Sequence, residues 1–346
     1  MSNRIVGVDF GSKTVRAVEL KNADRAKPIV VKFAEVSLPE GSVRRGEVLE
    51  VGTVSTALRR LWAAGKFSTK DVVLGMGGPR VLSRELSMPK APLVQMREAL
   101  PFHVQDLLPV PVADVLMDFY PISESQDDQG AVVHGLLVAA IKEAVVANVD
   151  AATRAGLRPV QVDLIPFALV RALVASTPTR GLTALVSIGA DTTNVVLVHD
   201  GVPQFVRIIP AGGDDISRAL ATRLELPPLQ AESVKRELGF SAASPERMPV
   251  SEIIYEVGGE QVNAIRNTLT YYTNGKPGIV IDRIVLSGGG AQLAGLAKAL
   301  TELTSIPVIP ELANDGFAPH EHSGRATRAH REAMSTAYAL AMGSVA

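Results

Sequence analysis

Near its N-terminus the chain reads Val8-Asp9-Phe10-Gly11-Ser12-Lys13-Thr14-Val15-Arg16-Ala17-Val18. An apolar strand ends at an aspartate, a short turn rich in Gly, Ser and Thr follows, and a second apolar strand leads away. Strands this close in sequence favour an antiparallel hairpin. A turn of this composition exposes backbone N–H groups and hydroxyls without bulky side chains, and such turns hold phosphate groups.

The same pattern returns in the second half of the chain, as Val186-Ser187-Ile188-Gly189-Ala190-Asp191-Thr192-Thr193-Asn194-Val195-Val196. Each copy precedes a further strand and then helices. A third apolar stretch, Ile281 to Ser287, ends in Gly288-Gly289-Gly290, where a flat ligand could approach the backbone closely. Together, and in this order, the three signals predict a duplicated α/β fold with a ligand cleft between two lobes.

Composition excludes several classes of protein. A length of 346 residues predicts two or three domains, and 47% hydrophobic residues exclude a disordered chain. The net charge of −1 argues against a nucleic-acid binder, and the lack of cysteine excludes thiolate chemistry. No apolar run reaches the ~18 residues of a membrane span, and the N-terminus has no signal-peptide pattern. We therefore expect a soluble intracellular protein.

A compact α+β unit is predicted between the two copies of the repeat. Its expected elements are a strand at Leu82–Met88, a helical stretch at Leu93–Leu107 interrupted by Pro101, a strand at Asp114–Ile122, a polar hairpin loop at Ser123–Gly130, a strand at Val132–Ile141 and a helix at Lys142–Ala155.

The ordered motifs resemble those of the actin-like ATPase superfamily. Val6–Thr14 resembles its first phosphate loop, Ile188–Thr193 its second, and Leu286–Ala291 its adenosine motif, while Ala211–Ile216 and Ala231–Lys235 are similar to its other nucleotide-contacting segments. The resemblance implies ATP or ADP as a ligand, with Mg²⁺ held through water by Asp9. The implied nucleotide-binding residues are Asp9, Gly11, Ser12, Lys13, Thr14, Arg16, Gly189, Ala190, Asp191, Thr192, Gly212, Gly213, Glu232, Lys235, Gly288, Gly289 and Gly290.

Within this superfamily the inserted unit resembles domain 1C of the FtsA/PilM branch, and the PilM family in particular. Ser87-Met88-Pro89, Leu108-Pro109-Val110-Pro111 and the stretch from Ala155 to Asp163 carry this similarity. It implies a two-lobed fold of duplicated RNase H-like halves with an inserted small α+β domain. The expected divisions are lobe 1A at 1–80, 162–180 and 333–346, domain 1C at 81–161, lobe 2A at 181–227 and 279–332, and subdomain 2B at 228–278.

The resemblance also implies a function. PilM proteins lie at the inner face of the cytoplasmic membrane and bind the cytoplasmic N-terminal segment of PilN, a single-span membrane protein, in a groove near the 1A–1C boundary. We therefore expect a cytoplasmic scaffold of a type IV pilus or related machine, with pilus motor ATPases as further candidate partners. The alternatives are a filament-forming ATPase similar to FtsA or MreB, and a sugar-kinase-like phosphotransferase, for which the sequence offers no convincing general base.

Three positions depart from the superfamily pattern. Relatives usually begin the second phosphate loop with Asp, where this chain has Ser187, and place Glu before Pro166, where it has Ile165. Arg16 stands where relatives usually have Lys, and it keeps the charge with a different geometry. Phosphoryl transfer depends on positioned charge, so we expect nucleotide binding with little or no turnover. Asp191 is the candidate to replace the missing carboxylate.

Overall fold

The structure is a computed structural model that describes residues 4–23, 28–128, 130–176, 180–241, 244–274, 276, 278–310 and 332–343. Its first sheet contains β1 (Arg4–Phe10), β2 (Thr14–Lys21), β3 (Ile29–Ser37), β6 (Asp71–Met76) and β10 (Arg158–Leu164) in the order β10-β6-β1-β2-β3. β1, β2 and β3 pair antiparallel, as their close spacing predicts, whereas β6 and β10 add in parallel.

The second sheet repeats this arrangement. It contains β11 (Leu182–Ile188), β12 (Thr193–His199), β13 (Val202–Ile209), β14 (Arg283–Ser287) and β15 (Val308–Pro310) in the order β13-β12-β11-β14-β15. The first three strands again form an antiparallel meander and the last two again add in parallel. The sequence repeat therefore corresponds to a repeated sheet topology.

The inserted segment forms a separate antiparallel sheet. β7 (Val81–Pro89), β8 (Val115–Asp127) and β9 (Gly130–Ile141) lie in the order β7-β9-β8, and α2 (Leu93–His103) packs on one face. The predicted loop at Ser123–Gly130 is wrong, because β8 stays paired with β9 as far as Asp127. The end of β8 is exposed on both faces and therefore carries polar residues throughout. It lacks the alternation of apolar and polar residues that predicts a strand. The predicted break at Pro101 is also wrong, because α2 continues to His103.

Helices cover both sheets and fill the space between them. On the outer face of the first sheet lie α1 (Val51–Gly65) and α3 (Lys142–Arg154). Between the sheets lie α4 (Ile165–Ser176) and α9 (Ser335–Ala341). The second sheet is covered by α7 (Met248–Asn274) and α8 (Leu296–Thr304), and α7 also packs against α5 (Gly213–Arg223) and α6 (Pro228–Leu238). The central helices give the two halves a common apolar core.

Gly7 allows α9 to lie directly on β1. A Cβ atom at Gly7 would lie 2.0 Å from the carbonyl oxygen of Ala337 and 2.5 Å from the nitrogen of Ala341. Real Cβ atoms do not approach backbone this closely, so any side chain would push α9 away from the sheet. Gly7, in the middle of β1, therefore has a packing role.

A short hairpin joins the first sheet to α1. It consists of β4 (Val43–Arg44) and β5 (Glu47–Val48), with Val43 and Val48 buried in the core under α1. Residues 311–331, which we expect in lobe 2A, lie outside the described residues. In the described part of the chain, none of the helices has both the length and the apolar character needed to cross a membrane.

Candidate functional site

A cleft of about 590 Å³ opens between the two sheets, where β1, β11 and β14 end. The turn after β1 and the turn after β11 face it from the two sides, and the glycine turn after β14 lies beside the second of these. Ligands of open α/β sheets bind at such carboxyl ends of strands. The duplicated topology therefore brings the three predicted turns to one place.

The two turns of the repeat have the same internal hydrogen bond. The N–H of Gly11 donates to the carbonyl of Thr14 at 3.0 Å, and the N–H of Gly189 donates to the carbonyl of Thr192 at 2.8 Å. The second turn is also bonded to the start of α5, because the N–H of Asp214 donates to the carbonyl of Ala190 at 2.7 Å. Both turns thus hold a fixed shape at the cleft.

All but one of the sequence-predicted binding residues line the cleft. The exception is Gly212, which precedes α5 and packs against the backbone of Ala190. The residues that the structure brings together are Asp9, Gly11, Ser12, Lys13, Thr14, Arg16, Gly189, Ala190, Asp191, Thr192, Gly213, Glu232, Lys235, Gly288, Gly289 and Gly290.

The two copies of the repeat differ in charge at equivalent positions. In the first copy Asp9 faces Arg16 across the strand pair, with 4.0 Å between the carboxylate and guanidinium groups. In the second copy Ser187 faces Asn194 in the same register. Ser187, Asn194 and Ile165 all line the cleft. The second copy of the repeat is therefore neutral at the two positions where the first copy carries Asp9 and Arg16.

Two carboxylates of the cleft, the partly buried Asp9 and the buried Asp191, interact with each other electrostatically. Burial raises the pKa of Asp9, and the charge of Asp191 raises it further against the opposing charge of Arg16. Burial also raises the pKa of Asp191, although the backbone N–H of Arg45 donates to its Oδ2 at 2.5 Å. Two carboxylates that repel each other in a desolvated site favour a bound cation, and oxygen ligands suit Mg²⁺.

Two buried polar atoms of the cleft lack a hydrogen-bond partner among the described residues. They are the hydroxyl of Ser12 and the Oδ1 of Asn194. Leaving such groups unsatisfied costs about 1–3 kcal/mol each, so buried polar atoms normally have partners. A phosphate oxygen, a sugar hydroxyl or a hydrated ion in the cleft would supply the missing hydrogen-bond partners. The lining thus fits a polar, anionic ligand that arrives with a cation.

Farther along the cleft, Glu232 accepts hydrogen bonds from three side chains. Lys235 Nζ donates to its Oε2 at 2.7 Å, Ser217 Oγ to the same atom at 2.6 Å, and Arg236 Nε to Oε1 at 2.7 Å. Burial alone would raise the pKa of Glu232, but these bonds outweigh it and lower that pKa to about 2. Lys235 is 7% exposed and also donates to the carbonyl of Gly213 at 2.9 Å.

Replacing Glu232 with glutamine should lower the free energy of unfolding at neutral pH by about 2–3 kcal/mol. The folded-state pKa lies below the unfolded value, so the stabilisation is present above about pH 4.5 and is lost as the pH falls towards 2. In urea unfolding, the difference in the free energy of unfolding between the two proteins should therefore be constant above about pH 4.5 and should narrow as the pH falls to about 3. Glu237→Gln, on the same helix but in an exposed ion pair with Arg247, is the control and should change little. A Glu232→Gln difference that stays constant as the pH falls contradicts this account.

Sequence reasoning missed several residues of the cleft. Asn194 could have been found from the repeat, because it occupies the position of Arg16 in the second hairpin. Gln261 gave no signal, because it lies inside α7 and reaches the second turn only through a 2.9 Å bond to Thr193 Oγ1. The ion pair between Lys13 and Asp214 joins residues from different lobes, which no local pattern predicts.

Comparison with known proteins gives the family. A family model described as "Type IV pilus assembly protein PilM" matches residues 7–345. The chain belongs to the PilM family. Consistent with this membership, a solved structure titled "PilM-PilN type IV pilus biogenesis complex" superposes with a TM-score of 0.85 and 26% sequence identity, covering 97% of both chains.

More distant proteins share parts of this chain or its fold. Cell division protein FtsA of Neisseria meningitidis serogroup B (strain ATCC BAA-335 / MC58) is 25% identical over 206 residues. The match covers 54% of this chain and 48% of FtsA, so the chain spans about half the length of that relative. MreB5 of Spiroplasma citri, solved bound to ADP, superposes with a TM-score of 0.54 at 13% identity, covering 96% of this chain and 94% of MreB5. The predicted fold class is therefore confirmed: this PilM family member has the actin-like α/β fold.

Proposed function

We propose that this chain is a nucleotide-binding scaffold that docks the cytoplasmic N-terminal segment of a PilN-like inner-membrane protein during assembly of a type IV pilus or a related machine. The observation that carries the proposal is the similarity over 97% of both chains to a PilM protein solved in complex with PilN. Membership of the PilM family agrees with it. Under this proposal the chain works in the cytoplasm, at the inner face of the membrane, and reaches the membrane through its partner.

Removal of the partner's tail tests the docking. When this chain is co-expressed with the full-length PilN-like protein, it should fractionate with the inner membrane. When the N-terminal cytoplasmic segment of that partner is deleted, the chain should return to the soluble fraction. Equal membrane association in both strains contradicts docking through the tail. Pilus motor ATPases remain further candidate partners of the same scaffold.

The ligand of the cleft, in this proposal, is ATP or ADP with Mg²⁺. The turns at Gly11–Thr14 and Gly189–Thr192 would hold the phosphates, and the ion would be held through water by Asp9. Glu232 and Lys235 would lie near the ribose and adenine, beside the Gly288–Gly290 turn. The unpartnered Ser12 hydroxyl and Asn194 Oδ1 support this fit. Mg²⁺ would neutralise phosphate charge there. The MreB5 structure, which has a similar fold, was solved bound to ADP.

We also propose the division of the chain into lobe 1A (1–80, 162–180, 333–346), domain 1C (81–161), lobe 2A (181–227, 279–332) and subdomain 2B (228–278). The three-stranded sheet with α2 and α3 falls within domain 1C under this division. The second five-stranded sheet falls in lobe 2A, and four strands of the first fall in lobe 1A, while its edge strand β10 crosses the proposed boundary after residue 161.

Nucleotide turnover should be at least ~100-fold below the ~1 s⁻¹ at the low end for phosphoryl-transfer enzymes such as kinases. The physical reason is that Ser187 and Ile165 line the cleft where relatives carry the carboxylates that hold metal and orient water. A phosphate-release assay with and without Mg²⁺ measures this directly. Steady Mg²⁺-dependent release by the wild type contradicts the prediction, and its loss in Asp191→Ala would assign the replacement role to that carboxylate.

A further inference from the structure

The hairpin at residues 43–48, here called the bridge hairpin, lies between the cleft and the inserted unit. On the cleft side the N–H of Arg45 donates to Asp191 Oδ2 at 2.5 Å, and Gly46 lines the cleft. Asp191 belongs to the turn after β11, in the second half of the chain. This bond therefore joins the two halves at the place where the proposed phosphates would lie.

On its other side the bridge hairpin is held by Asn148 of α3. This side chain is fully buried, its Oδ1 accepts from the N–H of Val48 at 2.9 Å, and its Nδ2 donates to the carbonyl of Gly46 at 3.0 Å. One amide thus bonds both to the turn, at Gly46, and to the end of β5, at Val48. Separating the hairpin from α3 would leave buried polar groups unsatisfied, at a cost of about 1–3 kcal/mol for each group.

Arg80 connects the bridge hairpin to the root of the inserted unit. Its guanidinium donates to Glu47 at 2.5 Å and to Glu143, in the first turn of α3, at 2.7 Å. Its own carbonyl accepts from the N–H of Ile141, the last residue of β9, at 3.0 Å. Arg80 therefore touches the hairpin, the start of α3 and the place where the chain enters and leaves the three-stranded sheet.

We propose that the bridge hairpin couples occupancy of the cleft to the position of the inserted unit, with Arg45, Asn148 and Arg80 as positioning residues. The proposal rests on the proposed function, because it takes nucleotide and the partner's tail as the two ligands. A ligand that fixes the second turn fixes Asp191, and Asp191 holds a hairpin that is already bonded to α3 and Arg80. The partner's tail then binds an inserted unit whose position is already fixed. Because binding the tail no longer requires the conformational entropy of that unit to be lost, the two ligands bind cooperatively.

A second contact between the halves offers a rival route. Lys276, near the end of α7, donates to Glu85 of β7 at 2.8 Å, and β13 packs against β7. This route reaches the inserted sheet without passing through the bridge hairpin. The experiment must therefore separate the two routes, and in each route one ion pair, at Arg80 or at Lys276, involves partly exposed side chains and can be removed by a single replacement.

The test is the affinity for a labelled peptide with the sequence of the PilN-like protein's N-terminal cytoplasmic segment, measured with and without saturating Mg²⁺-ATP. In the wild type, ATP should tighten peptide binding about 5-fold or more, and peptide should tighten ATP binding by the same factor. In Arg80→Met, both ligands should still bind, but the coupling should fall by about twofold or more, because among the described residues only the Asn148 bonds then join the hairpin to α3. Lys276→Met and Arg97→Met, which breaks an ion pair inside the inserted unit, should keep the wild-type coupling. Unchanged coupling in Arg80→Met, or loss in Lys276→Met instead, overturns the proposal.

Amide hydrogen exchange gives a readout that needs no peptide. In the wild type, Mg²⁺-ATP should slow exchange both in the bridge hairpin and at the start of α3. In Arg80→Met, the hairpin should still respond, whereas the start of α3 should respond much less. An identical response in both proteins overturns the proposal. If the wild type gives this pattern yet binds no peptide, the docking function fails while the coupling through the hairpin stands.

Discussion

Gly289→Phe is expected to lower the affinity of the cleft for ATP and ADP by at least about 100-fold, or about 2.8 kcal/mol, without lowering Tm. The three glycines after β14 differ in what surrounds them. A Cβ at Gly288 would lie 2.4 Å from the Ile188 carbonyl oxygen, and one at Gly290 would lie 2.3 Å from Ile188 Cγ2. A Cβ at Gly289 would meet nothing within 4 Å. Of the three, only Gly289 therefore has open space beside it, and Gly289 lines the cleft.

Isothermal titration calorimetry measures the affinity for nucleotide, and thermal unfolding of the same samples measures Tm. The matched control is Gly52→Phe, because Gly52 also has open space around its Cβ but lies on the exposed side of α1. The control should bind nucleotide as the wild type does. Wild-type affinity in Gly289→Phe would remove the glycine turn from the nucleotide site. A large fall in Tm would mean that the glycine serves the fold.

Gly7→Ala is expected to lower the free energy of unfolding by at least about 3 kcal/mol, because it forces a methyl group into the backbone of α9. The added carbon would lie 2.0 Å from the carbonyl oxygen of Ala337, and backbone cannot move aside as a flexible side chain does. Since α9 also packs against α4 in the core between the sheets, its displacement would disturb the contact between both halves.

Urea unfolding followed by circular dichroism measures this loss. The same replacement at Gly52, on exposed α1, should instead be neutral or stabilise by up to about 1 kcal/mol, because alanine is the better helix former. Opposite effects of one chemical change would assign the loss to the contact at Gly7. Equal midpoints for Gly7→Ala and the wild type would contradict the described packing of α9 on β1.

Much of the fold could be predicted because its strands carry strong local signals. The strands predicted at Leu82–Met88 and Val132–Ile141 and the helix predicted at Lys142–Ala155 agree with β7, β9 and α3 to within two residues at each end. The apolar stretch Ile281–Ser287 ends where β14 ends, at Ser287, but β14 begins only at Arg283. The polar end of β8 was predicted as a loop, because exposed strand residues lack an apolar face.

The cleft was predictable where chemistry is local and unpredictable where it depends on packing. The three Gly-rich turns, in their order along the sequence, predicted that all three line one cleft. By contrast, the bond from Arg45 to Asp191 joins distant segments, and it forms only because two sheets with a shared core bring them together. Asn148 reads in the sequence as an ordinary helix residue, although it is fully buried and holds the bridge hairpin.

Titration of the purified chain with the labelled N-terminal cytoplasmic peptide of the PilN-like protein tests the central claim most directly. A scrambled peptide of the same composition is the control for electrostatic and other non-specific binding. The account predicts saturable one-to-one binding of the native peptide, tighter with Mg²⁺-ATP than without, and none of the scrambled peptide. If the peptide does not bind either with or without nucleotide, the scaffold function is contradicted, and a filament-forming actin-like protein becomes the favoured function.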